Sequence, residues 1–171
     1  MTEYDIIIIG SGPGGYTAAA AAVKAGLKTL VVEADRLGGT CLNRGCIPTK
    51  TFCRSAVAAL EVKGAPAFGV EVAQGKADGE FGIGIADPQP VVSLQKILDR
   101  KDAIVEELRE GVAGIIRGAD VCQGTARFTG PHTVEAAGME YTAPYIVIAT
   151  GAAPVLPDIP GADLCLDSDA L

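Results

Sequence analysis

The order of apolar and polar residues outlines the fold. Tyr4–Ile9 is a short, largely β-branched apolar run that stops at Gly10. A run without alternation predicts a strand buried on both faces, the kind found in parallel sheets. Gly14–Ala25 is alanine-rich and meets Gly26, which predicts a helix with a glycine stop. Lys28–Glu33 reads as a second buried strand. Strand, helix and strand within about thirty residues make a βαβ unit with a right-handed crossover. Tyr145–Ala149 repeats the buried-strand pattern and closes on Thr150 and Gly151.

Two stretches have helical periodicity. Cys46 to about Lys63 reads as a helix, with Pro48 tolerated in its first turn. Ser93–Arg117 reads as a long amphipathic helix, capped by Ser93 and ended by Gly118. Leu94, Ile97, Leu98, Val105, Leu108, Val112, Ile115 and Ile116 make its apolar face, interrupted by Lys101. Asp120–Phe128, His132–Ala136 and Glu140–Thr142 read as short strands joined by turns. The fold class is therefore α/β: a Rossmann-like domain with a parallel sheet and a small antiparallel β-meander. Gly64–Pro90 is rich in Gly and Pro and reads as loop. Its Gly82–Asp87 segment half-matches a dinucleotide fingerprint, but no long strand precedes it. Pro154, Pro157, Pro160 and Gly161 mark an exit from one domain.

Composition removes several functions. The chain has 171 residues, a formal charge of −7 and 5% aromatics, so it offers neither a basic stripe for phosphates nor a stacking surface for bases. Its apolar runs fall far short of the ~18 residues of a membrane span, and no basic leader opens it. A soluble, cytoplasmic protein is the expectation. Five unevenly spaced cysteines do not make a disulfide framework; a redox pair plus buried thiols fits them better.

Two motifs carry chemistry. Gly10, Gly12 and Gly15 occupy the three positions of a dinucleotide fingerprint that follows a strand and opens a helix, and Glu33 ends the next strand. Gly10 allows the tight turn, Gly12 close approach to a pyrophosphate, and Gly15 close helix–strand packing. The helix N-terminus favours phosphate, and Glu33 can accept from a ribose hydroxyl. In the second motif, Gly38–Lys50, Cys41 and Cys46 flank a glycine-containing turn. Cys46 lies at a helix start, where the dipole favours a thiolate, and Lys50 adds positive charge one turn on. A staple closing so short a loop would contribute only about 2 kcal/mol, so redox exchange is the better use. Metal is the weaker alternative: Cys41, Cys46 and Cys53 offer three thiolates, but with no nearby histidine and no usual zinc spacing. Cys53, Cys122 and Cys165 read as core thiols.

These residues, with Tyr16 after the fingerprint and the closing Ala149-Thr150-Gly151, resemble the FAD-linked pyridine nucleotide–disulfide oxidoreductases, and among them the dihydrolipoyl dehydrogenases. The resemblance runs nearly the whole length, through Phe68-Gly69-Val70 and the Ser93–Arg117 helix. It implies that Gly10, Gly12 and Gly15, with Gly14 beside them, hold the FAD pyrophosphate, and that Glu33 and Ala34 hold the adenosine ribose. Gly39, Thr40 and Cys41 would line the path to the flavin, with Lys50 near its N5 edge. Ala126 would contact the adenine end, and Thr150 and Gly151 would close on the cofactor. Cys46 would be the charge-transfer thiol and Cys41 the interchange thiol.

The implied reaction oxidises dihydrolipoamide on a lipoyl-carrying protein of a 2-oxo-acid dehydrogenase or glycine-cleavage complex. NAD⁺ is the acceptor, and the enzyme is a homodimer. Mercuric and glutathione reductases are similar, but the first helix here lacks the arginine usual in glutathione reductases. A catalytically silent cofactor-binding module is the alternative from another class. The resemblance divides the chain into an FAD-binding portion, 1–151, and a linker with the start of an NAD-binding segment, 152–171. It places the rest of the NAD-binding domain, a returning FAD-domain segment that would complete the sheet, and the catalytic His–Glu pair outside these residues. His132, in a Gly-Pro turn, is not expected to be that base. The stretch 73–90 is longer than the resemblance suggests.

Overall fold

The computed structural model describes residues 2–70 and 90–168. Most of the loop expected at Gly64–Pro90, including the Gly82–Asp87 half-match and nearly all of 73–90, lies outside them; its described start is instead the end of a helix at Gly64 and a 3₁₀ turn at Ala65–Phe68. The chain divides into two units: residues 1–48 with 103–171, and residues 49–102.

The first unit is built on a four-stranded parallel sheet ordered β4-β3-β2-β8, from β2 (Ile6–Ile9), β3 (Thr29–Glu33), β4 (Asp120–Gln123) and β8 (Tyr145–Ile148). Helix α1 (Pro13–Lys24) crosses from β2 to β3. It ends as its sequence requires. Gly26 takes φ +78°, and the Leu27 N–H reaches back to the Ala22 carbonyl, satisfying the last turn.

A second sheet is ordered β1-β7-β6-β5, from β1 (Thr2–Glu3), β5 (Arg127–Gly130), β6 (Thr133–Ala136) and β7 (Met139–Thr142). β5, β6 and β7 form the antiparallel meander, and β1 joins it parallel to β7. Two expected boundaries change here. The strand expected at Tyr4–Ile9 begins only at Ile6, because Thr2–Glu3 pairs in the other sheet. The strand expected at Asp120–Phe128 is two strands in different sheets, broken at Gly124–Ala126.

The alternation of side chains along a strand assigns the core. Ile7, Ile9, Leu30, Val32 and Cys122 pack against Val134, Ala136 and Tyr141, gluing sheet to sheet. Ile8 and Val31 point the other way, onto Ala19 of α1 and Ile116. Tyr4 sits at the edge of the first cluster. Its hydroxyl donates to Asp120 at 2.9 Å, and Lys28 Nζ lies 4.7 Å from its ring centre. Burial, then the Asp120 carboxylate, push its pKa up to about 12. A bond from the Tyr141 hydroxyl to Cys122 Sγ, followed by burial, raises the Tyr141 pKa as well.

Helix α2 (Gly39–Asn43) and the first residues of α3 (Cys46–Gly64) complete the unit, together with the C-terminal half of α4 (Leu94–Ile115). Val105 and Val112 of α4 are buried with Leu42. The expected apolar face of α4 is only partly covered, since Leu108 and Ile115 remain exposed. In the second unit, α3 runs into a short 3₁₀ turn at Ala65–Phe68, and Ser93 Oγ accepts from the Lys96 N–H at the start of α4.

Candidate functional site

The fingerprint glycines sit where β2 hands over to α1. Gly10 adopts φ +94°, and a Cβ there would lie 2.4 Å from the Ala149 carbonyl oxygen. A Cβ on Gly15 would lie 1.9 Å from the Gly10 carbonyl oxygen. Both glycines are therefore demanded by the protein's own packing. Gly12 is different. It has an ordinary φ of −66°, and a Cβ would meet only Gly39 Cα, at 3.8 Å. Nothing inside the fold needs glycine there. Gly12 caps α1 without a side-chain oxygen, and Pro13 follows, leaving the N–H groups of the first turn open to an acceptor.

Glu33 is 8% exposed and points back at this turn. Its Oε2 accepts from the Ser11 N–H at 2.8 Å and the Ser11 hydroxyl at 2.5 Å, while Oε1 accepts from the Asp35 N–H at 2.9 Å. The carboxylate thus splints the glycine loop. Ser11, fully buried, is a site residue that sequence reasoning passed over. The signal was its small polar side chain inside the fingerprint.

The loop opens a cleft of about 590 Å³ at the C-terminal ends of the parallel strands. This is where doubly wound sheets bind ligands. Gly10, Gly12, Gly14, Glu33, Ala34, Gly39, Thr40 and Cys41 all line it. Ala126, Thr150 and Gly151 line it as well. Gly15 does not line it and is packed against the Gly10 carbonyl. Lys50 and Cys53 belong to the second unit and are not among the lining residues. Asp35, Arg36, Asn43, Arg44 and Thr125 also line the cleft and were not foreseen.

Cys41 and Cys46 are joined in a disulfide with Cα atoms 4.7 Å apart. The bond takes two sulfurs from the three-thiolate metal set considered above. Cys41 sits within α2 rather than beside a bare turn, and Cys46 is the first residue of α3. Gly45 lets the connection fold tightly: its N–H and that of Arg44 both reach the Thr40 carbonyl, at 2.7 and 2.8 Å. Cys41 is half-buried and Cys46 exposed. Of the three other thiols only Cys122 is buried; Cys53 and Cys165 are exposed, contrary to the core role expected of them. Their helical or turn neighbours are largely polar or solvent-facing, which spacing alone did not reveal. On its other side, Cys41 borders an apolar pocket of about 270 Å³ walled by Tyr16, Leu42, Leu108 and Ile115. His132 is exposed in a turn, where its carbonyl accepts from Thr142 and Ala143.

The sequence matches the pyridine nucleotide-disulphide oxidoreductase family over residues 4–170. The chain belongs to that family. Among similar proteins are the dihydrolipoyl dehydrogenases of Thermus scotoductus, 40% identical over 91% of this chain, and of Acholeplasma laidlawii, 41% identical over 93%. A mercuric reductase of Staphylococcus aureus is 34% identical over 93%. The chain spans 31%, 44% and 27% of these relatives' own lengths. The solved structure of the HOCl-induced flavoprotein disulfide reductase RclA from Escherichia coli superimposes with a TM-score of 0.68 at 29% identity, covering 92% of this chain and 30% of that one. The chain thus has the α/β fold of flavoprotein disulfide reductases. Among the described residues no helix is long and apolar enough to cross a membrane.

Proposed function

We propose that this family member is the FAD and redox-disulfide portion of a dihydrolipoyl dehydrogenase. The carrying observation is the position of Cys41, which lines both the dinucleotide-sized cleft at the glycine loop and the apolar pocket. The cleft suits FAD, with its pyrophosphate over Gly12 and Gly14, its adenosine ribose toward Glu33 and Ala34, and its adenine end by Ala126. Thr150 and Gly151 would close against it, and Lys50 would serve the flavin end. When bound, FAD carries an electron pair between the protein dithiol and NAD⁺.

The chain's own residues perform the exchange. The apolar pocket accepts the aliphatic arm of dihydrolipoamide, presented by a lipoyl-carrying protein of a 2-oxo-acid dehydrogenase or glycine-cleavage complex. A substrate thiolate attacks Cys41 Sγ, the Cys41–Cys46 bond breaks, and Cys46 leaves as a thiolate held by the α3 N-terminus. The second substrate thiolate then displaces Cys41. Lipoamide departs with its new disulfide, and the protein keeps two electrons as two thiols. The proposed working form is a homodimer in the cytoplasm, where carrier dithiols stay reduced.

The test is mixed-disulfide trapping with oxidised lipoamide, whose ring disulfide is opened by a free protein thiolate; alkylation of the released lipoyl thiolate holds the adduct. Cys46→Ser should accumulate an adduct on Cys41, and Cys41→Ser should give none at Cys46. Cys53→Ser should exchange like the unaltered protein. An adduct on Cys46, or full lipoamide turnover by either single variant, would overturn the assignment.

A further inference from the structure

One cluster near the disulfide has no part in the exchange itself. The Asn43 side chain donates through Nδ2 to the carbonyls of Leu37 and Gly39, both at 3.0 Å, and of Arg36 at 3.4 Å. Its Oδ1 accepts from Arg109 Nη2 at 2.9 Å and Nε at 3.2 Å. Arg109 belongs to α4, and its side chain is 17% exposed and also paired with Glu106. One amide therefore ties the loop before Cys41, the end of the helix carrying Cys41, and a guanidinium from 66 residues away.

We infer that Asn43 and Arg109 are positioning residues that hold Cys41 in place for disulfide closure, and so set the redox equilibrium of the Cys41–Cys46 pair. None of these bonds involves a sulfur, so the clamp does not depend on the disulfide. A reduced pair held by it keeps its two sulfurs close, at high effective concentration, which favours re-formation of the bond. Without the clamp α2 keeps its buried Leu42, the Arg44–Asp35 pair and its turn to Gly45, but loses the side-chain tie between its last residue, its first turn and the loop before it, and Cys41 samples positions away from Cys46. Effective concentration falls, and the pair becomes a stronger oxidant. The inference rests on the redox reading of the disulfide proposed above.

The experiment equilibrates the purified protein with dithiothreitol buffers of known ratio. Dithiothreitol gives two electrons and two protons to the protein disulfide and closes its own ring disulfide. Thiol trapping and intact mass then read the reduced fraction, with or without flavin. Asn43→Ala should lower the oxidised-to-reduced ratio at fixed buffer about tenfold, which is about 30 mV for a two-electron couple. Arg109→Met, which leaves the carbonyl bonds of Asn43 intact, should lower it about threefold and covers the case in which Asn43→Ala fails to fold. Asn43→Asp, which retains the acceptor for Arg109, should fall between the unaltered protein and Asn43→Ala. A role in folding alone would lower the stability of oxidised and reduced protein equally and leave the ratio unmoved. An unmoved ratio, or a shift toward the disulfide, overturns the inference. If the unaltered protein's disulfide resists dithiothreitol altogether, the redox reading itself fails.

Discussion

Placing a single methyl group on Gly15 or on Gly12 separates what the fold needs from what a ligand needs. In Gly15→Ala the new Cβ would start 1.9 Å from the Gly10 oxygen and 2.8 Å from its carbon. Gly10 cannot yield. Its N–H is held by the Val32 carbonyl at 2.8 Å, and it is itself pressed against the Ala149 backbone. The start of α1 must instead retreat by about 1.5 Å before the contact becomes ordinary. Retreat loosens Ala19 from Ile8 and Val31, whose relative exposures are all 0%. Overpacking costs about 1–3 kcal/mol, and a backbone obstacle puts this case at about 3 kcal/mol. For a chain of this size that lowers the melting temperature by about 6–12 °C.

In Gly12→Ala the nearest atom is 3.8 Å away and the backbone is one that alanine adopts freely. The stability cost is about 0.5 kcal/mol, the difference between glycine and alanine at a helix cap. The same methyl would stand between the α1 N-terminus and a phosphate. Loss of one charge-assisted hydrogen bond, about 1.5–3 kcal/mol, weakens FAD by roughly ten- to a hundredfold. Denaturant unfolding gives the first pair of numbers, and flavin fluorescence titration gives the second. A Gly15→Ala protein as stable as its parent would refute the packing argument. A Gly12→Ala protein that holds FAD undiminished would refute the pyrophosphate cradle.

Other expectations concern the splint and the core. Glu33→Ala strands the Ser11 N–H and hydroxyl in a buried site, so it should cost about 2–3 kcal/mol in denaturant unfolding even without FAD; a loss below half a kcal/mol would show that the loop holds itself. Ile8→Ala, at the centre of the parallel sheet, should cost about 3–4 kcal/mol by leaving a cavity between Val31 and Val147, and a cost under 1 kcal/mol would mean the sheet collapses onto the gap. Tyr4 is protonated more tightly in the folded state, with a pKa of about 12 against 10.0. Its contribution is therefore complete below pH 10 and is lost as pH rises through 12. Tyr4→Phe should flatten that alkaline decline in unfolding midpoint, and an unchanged slope between pH 10 and 12 would assign it to other groups.

The local pattern of the chain determined the βαβ unit, the glycine turn, the carboxylate at the end of β3 and the spacing of the two cysteines. Each is read within one helix turn or one strand, where backbone sterics and side-chain period act directly. Tertiary structure decided what those parts touch. Asp120–Phe128 has strand propensity throughout, yet Val121 and Cys122 add to β3 while Phe128 pairs with Val134 in the other sheet. Thr2–Glu3 joins β7 across nearly the whole chain. Glu33 could be named a ribose partner from its position, but its grip on Ser11 required the two strand ends to be brought side by side. Asn43 carried no mark of its role, because its partner Arg109 arrives on a helix 66 residues later. The exposure of Cys53 and Cys165 was equally silent. Hydrophobic period and turn chemistry act between near neighbours, whereas sheet membership, burial and buried polar pairing depend on which distant surfaces meet, and only the folded chain brings those surfaces together.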